Sequence, residues 1–225
     1  MSPGQLAFDL PHRAALGAED FLVSECNLAA VRLIDAWPNW PDPVQVLVGP
    51  PASGKTHLVR VWQEGSGARM LDPVTAGLPW LDAQAPGTCI AVEDADSAGF
   101  DENTLFHLLN LAREKGFSVL LTARAGPNRW PFSLPDLVSR LSAVPVTDIG
   151  VPDEALLRTV MLKHFSDRQL TIEPKVLEFL ALRIDRSLEA AAAAVDAVDR
   201  AALRSGRKIS RQLVSEALER TATME

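Results

Sequence analysis

Eight consecutive residues carry the densest chemistry in the chain: Gly49, Pro50, Pro51, Ala52, Ser53, Gly54, Lys55 and Thr56. They match G-x-x-x-x-G-K-S/T in full, the pattern of a loop that cradles phosphates with its backbone N–H groups. A helix opening where the loop ends adds the favourable field of its N-terminus. Lys55 is placed to reach the β- and γ-phosphates, and Thr56 to ligate Mg²⁺ through its hydroxyl. The expected ligands are therefore ATP or ADP with Mg²⁺. His57, on the first helical turn beside the nucleotide, reads as a packing or capping residue rather than a catalyst.

A phosphate-bound metal needs an acid delivered by a second strand. Residues 88–92 (Thr-Cys-Ile-Ala-Val) are apolar and run straight into Glu93 and Asp94. Glu93 is expected to hold Mg²⁺ directly or through water, and Asp94 to orient or deprotonate the attacking water. The pattern leaves open which acid plays which part, and Asp96 lies nearby.

These groups need a scaffold. Apolar runs at 44–48, 69–71, 88–92, 118–122 and 144–149 read as strands. Helical patterns at 56–63 and 104–115 lie between them, with Leu105, Leu108, Leu109 and Ala112 on one face of the second. Strands alternating with helices predict a parallel sheet covered on both faces. A further helix over 24–37 precedes it, closed by Pro38, Pro41 and Pro43. After Val151 and Pro152 the pattern turns all-helical. Asp153 and Glu154 open the first of these helices, and 173–182, 187–203 and 210–220 supply three more. The expected organisation is a tail over 1–14, a nucleotide-binding α/β core over 15–150 and a helical lid over 151–225.

Composition restricts the remaining classes. The chain of 225 residues has 22 Lys+Arg against 29 Asp+Glu, a net charge of −7. That argues against tight non-specific nucleic-acid binding by the whole chain. Residues 151–225 hold 12 basic and 12 acidic residues, so the deficit lies in the first 150. Cys26 and Cys89 are too few for a disulfide framework or a thiolate metal site. No apolar run is long enough to span a membrane, and the start lacks a secretory pattern, so a cytoplasmic protein is expected. The five tryptophans lack the spacing of a base-stacking platform, and His12, His107 and His164 form no metal constellation.

Together these motifs resemble the AAA+ ATPases, and more closely the DnaA family of replication-initiation proteins. The segment Leu134-Pro135-Asp136-Leu137-Val138-Ser139-Arg140-Leu141 resembles that family's box VII helix. The resemblance gives Arg140 the role of a finger reaching a neighbouring subunit's nucleotide, where a guanidinium can spread charge over the leaving γ-phosphate. It makes Thr122 the sensor 1 residue and Arg186, in Arg183-Ile184-Asp185-Arg186-Ser187-Leu188-Glu189, the sensor 2 residue. Glu19-Asp20-Phe21-Leu22-Val23 resembles the segment packing around adenine, through Phe21 and Leu22. It implies an AAA+ P-loop three-layer αβα core with a parallel five-stranded sheet, followed by a small α-helical lid. Glu93 stands where the family more often has Asp, and Arg124 where it tends to carry an acid.

DnaA itself continues into a basic helix-turn-helix domain, whereas this sequence reaches Glu225 just after the lid pattern. The tail also holds Gln5-Leu6-Ala7-Phe8-Asp9-Leu10, similar to peptides that dock on the bacterial sliding clamp. Gln5 would bond a pocket edge while Leu6 and Phe8 or Leu10 fill apolar subsites. The resemblance therefore implies a regulatory member of the family without the DNA-reading domain. Its expected partners are DnaA and the sliding clamp (the β subunit of DNA polymerase III), with self-association through AAA+ interfaces and a place at the nucleoid or replisome. No sequence-specific DNA binding is expected. Two other readings stand beside it: a helicase-loading ATPase of the DnaC type acting on single-stranded DNA, and a module whose nucleotide is only a structural switch.

Overall fold

The computed structural model describes residues 21–72, 76–97 and 99–222. Five apolar runs form the strands Val44–Val48 (β1), Arg69–Met70 (β2), Cys89–Val92 (β3), Ser118–Ala123 (β4) and Val146–Asp148 (β5). They build one parallel sheet in the order β2-β3-β4-β1-β5. The edge strands β2 and β5 are shorter than their apolar runs, because each has a neighbour on one side only. β4 runs one residue further than expected, since Ala123 pairs with Val48. Thr88 leaves the ladder for a turn and donates its hydroxyl to the Ala85 carbonyl at 2.7 Å.

Period-two alternation divides the core between the two faces of the sheet. Val44, Val46, Val48, Ile90, Val92, Val119, Leu121 and Ala123 pack on one side, and Leu47, Cys89, Ala91 and Leu120 on the other. The helices Leu28–Asp35 (α1) and Lys55–Ser66 (α2) cover the second side. Here Trp40 stacks on Trp62 with ring centroids 5.1 Å apart, and Trp37 meets Trp62 edge-on. Helices Leu78–Asp82 (α3), Glu102–Glu114 (α4) and Pro135–Ser142 (α5) cover the first side. The result is a three-layer αβα core. α3 is five residues long and too short to reveal helical periodicity, which is why its pattern was not visible in the sequence.

Side-chain caps fix the starts of three helices. Asp101 caps α4 through the Thr104 N–H at 2.9 Å. α1 begins four residues later than its pattern, because the Ser24 N–H donates to Asn27 Oδ1 at 2.9 Å and holds a turn there. Beyond β5 come Glu154–Asp167 (α6), Pro174–Ala181 (α7), Leu188–Ser205 (α8) and Arg211–Ala222 (α9). Asp153 caps α6 through the Leu156 N–H and Ser187 caps α8 through the Ala190 N–H. These helices gather around a separate core in which Met161, Phe165, Leu180, Val195, Val198 and Val214 are fully or almost fully buried.

One carboxylate staples α4 to α5. Glu102 accepts the Ser133 N–H, the Ser133 hydroxyl and, at 2.6 Å, the Leu134 N–H. The Leu134 and Ser133 N–H groups hold its carboxyl below the ordinary Glu range. A depressed carboxylate contributes stability above its unfolded pKa, and that contribution is lost as pH falls through the folded value. Glu102→Gln is thus expected to lower the melting temperature at pH 7, with the gap to wild type closing below about pH 4.5. Thermal melts of both proteins from pH 3 to pH 7 check this.

Candidate functional site

The phosphate loop leaves β1 and enters α2 through two residues of positive φ, Ala52 at 55° and Gly54 at 96°. Such alternation turns successive N–H groups inward and makes an anion-binding concavity. Gly54 is the N-cap of α2 and offers no side-chain cap, so first-turn N–H groups face the loop's interior. A Cβ at Gly54 would lie 2.7 Å from a Phe21 ring carbon, and one at Gly49 would lie 2.6 Å from the Ser53 hydroxyl. Both glycines are therefore required by close approach.

Lys55 is buried, and its ammonium donates to the carbonyls of Gly49 at 2.7 Å and Pro50 at 2.8 Å. Desolvation lowers its pKa; Asp94 opposes that shift and Arg124 adds to it. Ser53 Oγ is buried without a hydrogen-bond partner among the described residues. Thr56 is exposed on the first turn of α2.

The acids lie at the end of β3, two strands from β1. Glu93 is half-buried, with its Oε1 atom buried and unpartnered among the described residues. Asp94 is exposed and adopts φ 47°, a left-handed conformation that turns the chain sharply. Its N–H donates to the hydroxyl of buried Thr122 at 3.2 Å, and the Ala95 N–H donates to the Thr122 carbonyl at 2.8 Å. Thr122 thus positions the acidic turn. Thr122→Val leaves the Asp94 N–H without its acceptor at a cost of about 1 kcal/mol. The urea midpoint should fall at unchanged m-value, while Thr122→Ser restores it. Asp96 accepts the N–H groups of Arg124 and Ala125 at 2.8 and 3.2 Å. It is therefore spent on structure rather than standing as a spare acid.

Among the described residues no three His, Cys, Asp or Glu side chains gather as a metal site. Mg²⁺ in phosphate sites needs only one or two protein oxygens beside the phosphates and water. The Thr56 hydroxyl and the unpartnered Glu93 oxygen fit that donor set.

A cleft beside the loop is lined by Asn27, Pro50, Ser53, Gly150, Pro152 and Leu188, among others, so it touches both the sheet core and the start of α8. Phe21, beside Gly54, stacks on His57 with ring centroids 5.1 Å apart and planes 19° from parallel. That pair forms an apolar wall next to Gly54. Asn27, which sequence reasoning missed, is almost fully buried and donates to the Leu22 carbonyl at 2.9 Å, so it holds the segment carrying Phe21. The signal available was a polar residue at the start of an otherwise apolar helix. Arg186 is exposed, one residue before the α8 cap Ser187, and Ser187 itself lines the cleft.

Arg140 is not gathered into this cleft. It lies on α5, in the layer opposite α2, where its guanidinium donates to Asn110 Oδ1 and sits 4.8 Å from the Phe106 ring centroid. Gln5, Leu6, Phe8 and Leu10 lie outside the described residues.

The parallel five-stranded sheet in the order β2-β3-β4-β1-β5, with helices on both faces and a helical region after it, is the fold the sequence resemblance implied. No family model matches the chain. An uncharacterised protein of Haemophilus influenzae is 27% identical over 186 residues, covering 76% of this chain and 79% of that one. Domain III of the Thermotoga maritima replication initiation protein DnaA superimposes with a TM-score of 0.71 at 17% identity, covering 93% of this chain and 98% of that one. A replication initiator DnaA bound to AMPPCP and single-stranded DNA gives 0.65 at 16%, covering 87% and 69%. An alanine-to-serine variant of T. maritima RuvB gives 0.70 at 16%, covering 92% and 72%. At these identities the solved structures share the fold with this chain.

Proposed function

We propose that this protein is a DnaA-related regulator of replication initiation, most like Hda, the regulatory inactivator of DnaA. In this reading the loop from Gly49 to Thr56 holds ATP or ADP with Mg²⁺, and the Gln5–Leu10 peptide ties the protein to the sliding clamp. Arg140 enters the nucleotide site of DnaA and accelerates hydrolysis of the ATP bound there. The observation that carries the reading is the position of Arg140. It sits in the layer opposite α2, with its partners on α4 rather than in its own loop. In this reading the guanidinium exchanges Asn110 and Phe106 for another subunit's phosphates.

The residues at the chain's own site divide the work by position. Lys55 and the first-turn N–H groups of α2 bind and orient the phosphates. The Phe21–His57 pair screens the nucleotide's base from water. Thr122 holds the turn that presents Asp94. Mg²⁺, held by Thr56 and Glu93, would supply charge neutralisation at the phosphates. The nucleotide in this loop then configures the surface offered to DnaA.

The test combines the protein with DnaA-ATP and clamp loaded on DNA and follows phosphate release. Acceleration that requires both this protein and the clamp is expected. Unchanged hydrolysis overturns the reading. A pull-down with clamp, comparing the intact chain with Gln5→Ala/Leu6→Ala, should lose the clamp in the variant. Turnover by the protein alone that rises with single-stranded DNA, indifferent to clamp, would instead favour a helicase-loading ATPase.

A further inference from the structure

The hairpin joining α8 to α9 concentrates positive charge. Residues 200–215 contain Arg200, Arg204, Arg207, Lys208 and Arg211 and no acidic residue. Gly206 turns the chain at φ 62°, and its neighbours from Leu203 to Lys208 are exposed. An open cavity of about 200 Å³ lies against this turn, lined by Arg204, Ser205 and Arg207 and, from α9, Leu213, Glu216 and Arg220. Three arginines and one glutamate thus share its lining.

That carboxylate is committed. Glu216 accepts from Arg207 and from Gln212 Nε2 at 3.0 Å, and the Arg207 bond holds it below the usual carboxylate range. Among the described residues, Arg204, Lys208 and Arg220 make no ion pair. Two acids of α8 face away from this turn: Asp196 pairs with Arg168 at 2.5 Å, and Asp199 approaches the same guanidinium. A region neutral in total therefore presents one basic edge.

We propose that this edge docks the phosphate backbone of duplex DNA, without reading its sequence. Adjacent exposed cations beside a recess that three arginines help to line suit an extended polyanion. A single strand would call for an open aromatic face on which unstacked bases could lie. The neighbouring Phe179 offers none, since the Arg183 guanidinium covers its ring at 3.5 Å and Arg211 lies 5.5 Å from the centroid. The chain's net charge of −7 keeps such a contact weak and confined to this edge. The inference is independent of the clamp and of DnaA.

Fluorescence anisotropy of a labelled 30-base-pair duplex of arbitrary sequence, titrated with the full chain at 50 and 200 mM salt, tests it. Binding should weaken steeply with salt and should not depend on sequence. Arg204→Ala/Lys208→Ala should weaken binding at least about 10-fold and reduce the slope of log K against log salt by roughly 1.8, two contacts' worth. Arg60→Ala, an exposed cation on α2, should leave both unchanged. Wild-type affinity in the double variant overturns the proposal, as does the absence of salt-dependent binding by the wild type at 50 mM. Preference for single strands over duplex, or saturable binding of a polyglutamate peptide in place of DNA, overturns it too.

Discussion

If the protein stimulates hydrolysis of DnaA-bound ATP as proposed, Arg140→Ala should cut that stimulation by about 10³-fold or more, the scale on which an arginine supplied in trans acts at a leaving γ-phosphate. The protein's own nucleotide affinity should stay the same, because the Arg140 contacts are Asn110 and Phe106 rather than loop atoms. α5 should also stay in place, since Leu137 and Leu141 anchor it in the core. Arg140→Lys should rescue poorly. An ammonium carries the charge but lacks the planar fork that spans several phosphate oxygens. Single-turnover hydrolysis with clamp loaded on DNA reads the loss, and a nucleotide-binding titration of the same variant confirms that its own site is intact. Equal stimulation by wild type and Arg140→Ala would remove Arg140 from the mechanism.

Gly54→Ala should have the second-largest effect, weakening nucleotide binding roughly 5- to 150-fold. A non-glycine residue held at such a φ costs about 1–3 kcal/mol, which the loop escapes by leaving the conformation that binds phosphates. Space makes the matter worse here. The new methyl would stand 2.7 Å from the Phe21 ring, so the ring must shift and its stacking on His57 is lost. Gly67→Ala separates strain from contact. Gly67 has φ 67° at the far end of α2, yet nothing lies within 4 Å of its would-be Cβ. That variant should lose stability and keep its nucleotide affinity. Isothermal titration with ADP and a urea melt of each variant distinguish the two.

Much of this architecture was legible in the sequence because the relevant forces are local. An eight-residue loop between an apolar run and a helical pattern carries its own geometry in its glycines, its lysine and its threonine. The sheet followed from strands alternating with helices, and the helical region from the all-helical pattern that Asp153 and Glu154 open. What escaped the sequence depends on contacts distant along the chain. Asn27 matters through the carbonyl of Leu22 against which the fold places it, and a polar residue at the start of an apolar helix does not name the partner it meets. Asp96 looked like one more acid in an acidic stretch until β4 brought two N–H groups to it. The staple from Glu102 to residues 133 and 134 spans about thirty positions, and the α4 pattern alone gives no hint of it.

The placement of α2 and α5 in opposite layers has an architectural consequence. If Arg140 serves a neighbour's phosphates, the surface that gives and the surface that receives are different parts of the molecule. Contacts between such surfaces are heterologous and run head to tail. A row built this way has two unlike ends, one with an ungiven arginine and one with an unvisited phosphate loop. Its growth is then vectorial, and a single subunit that donates without receiving is enough to terminate it.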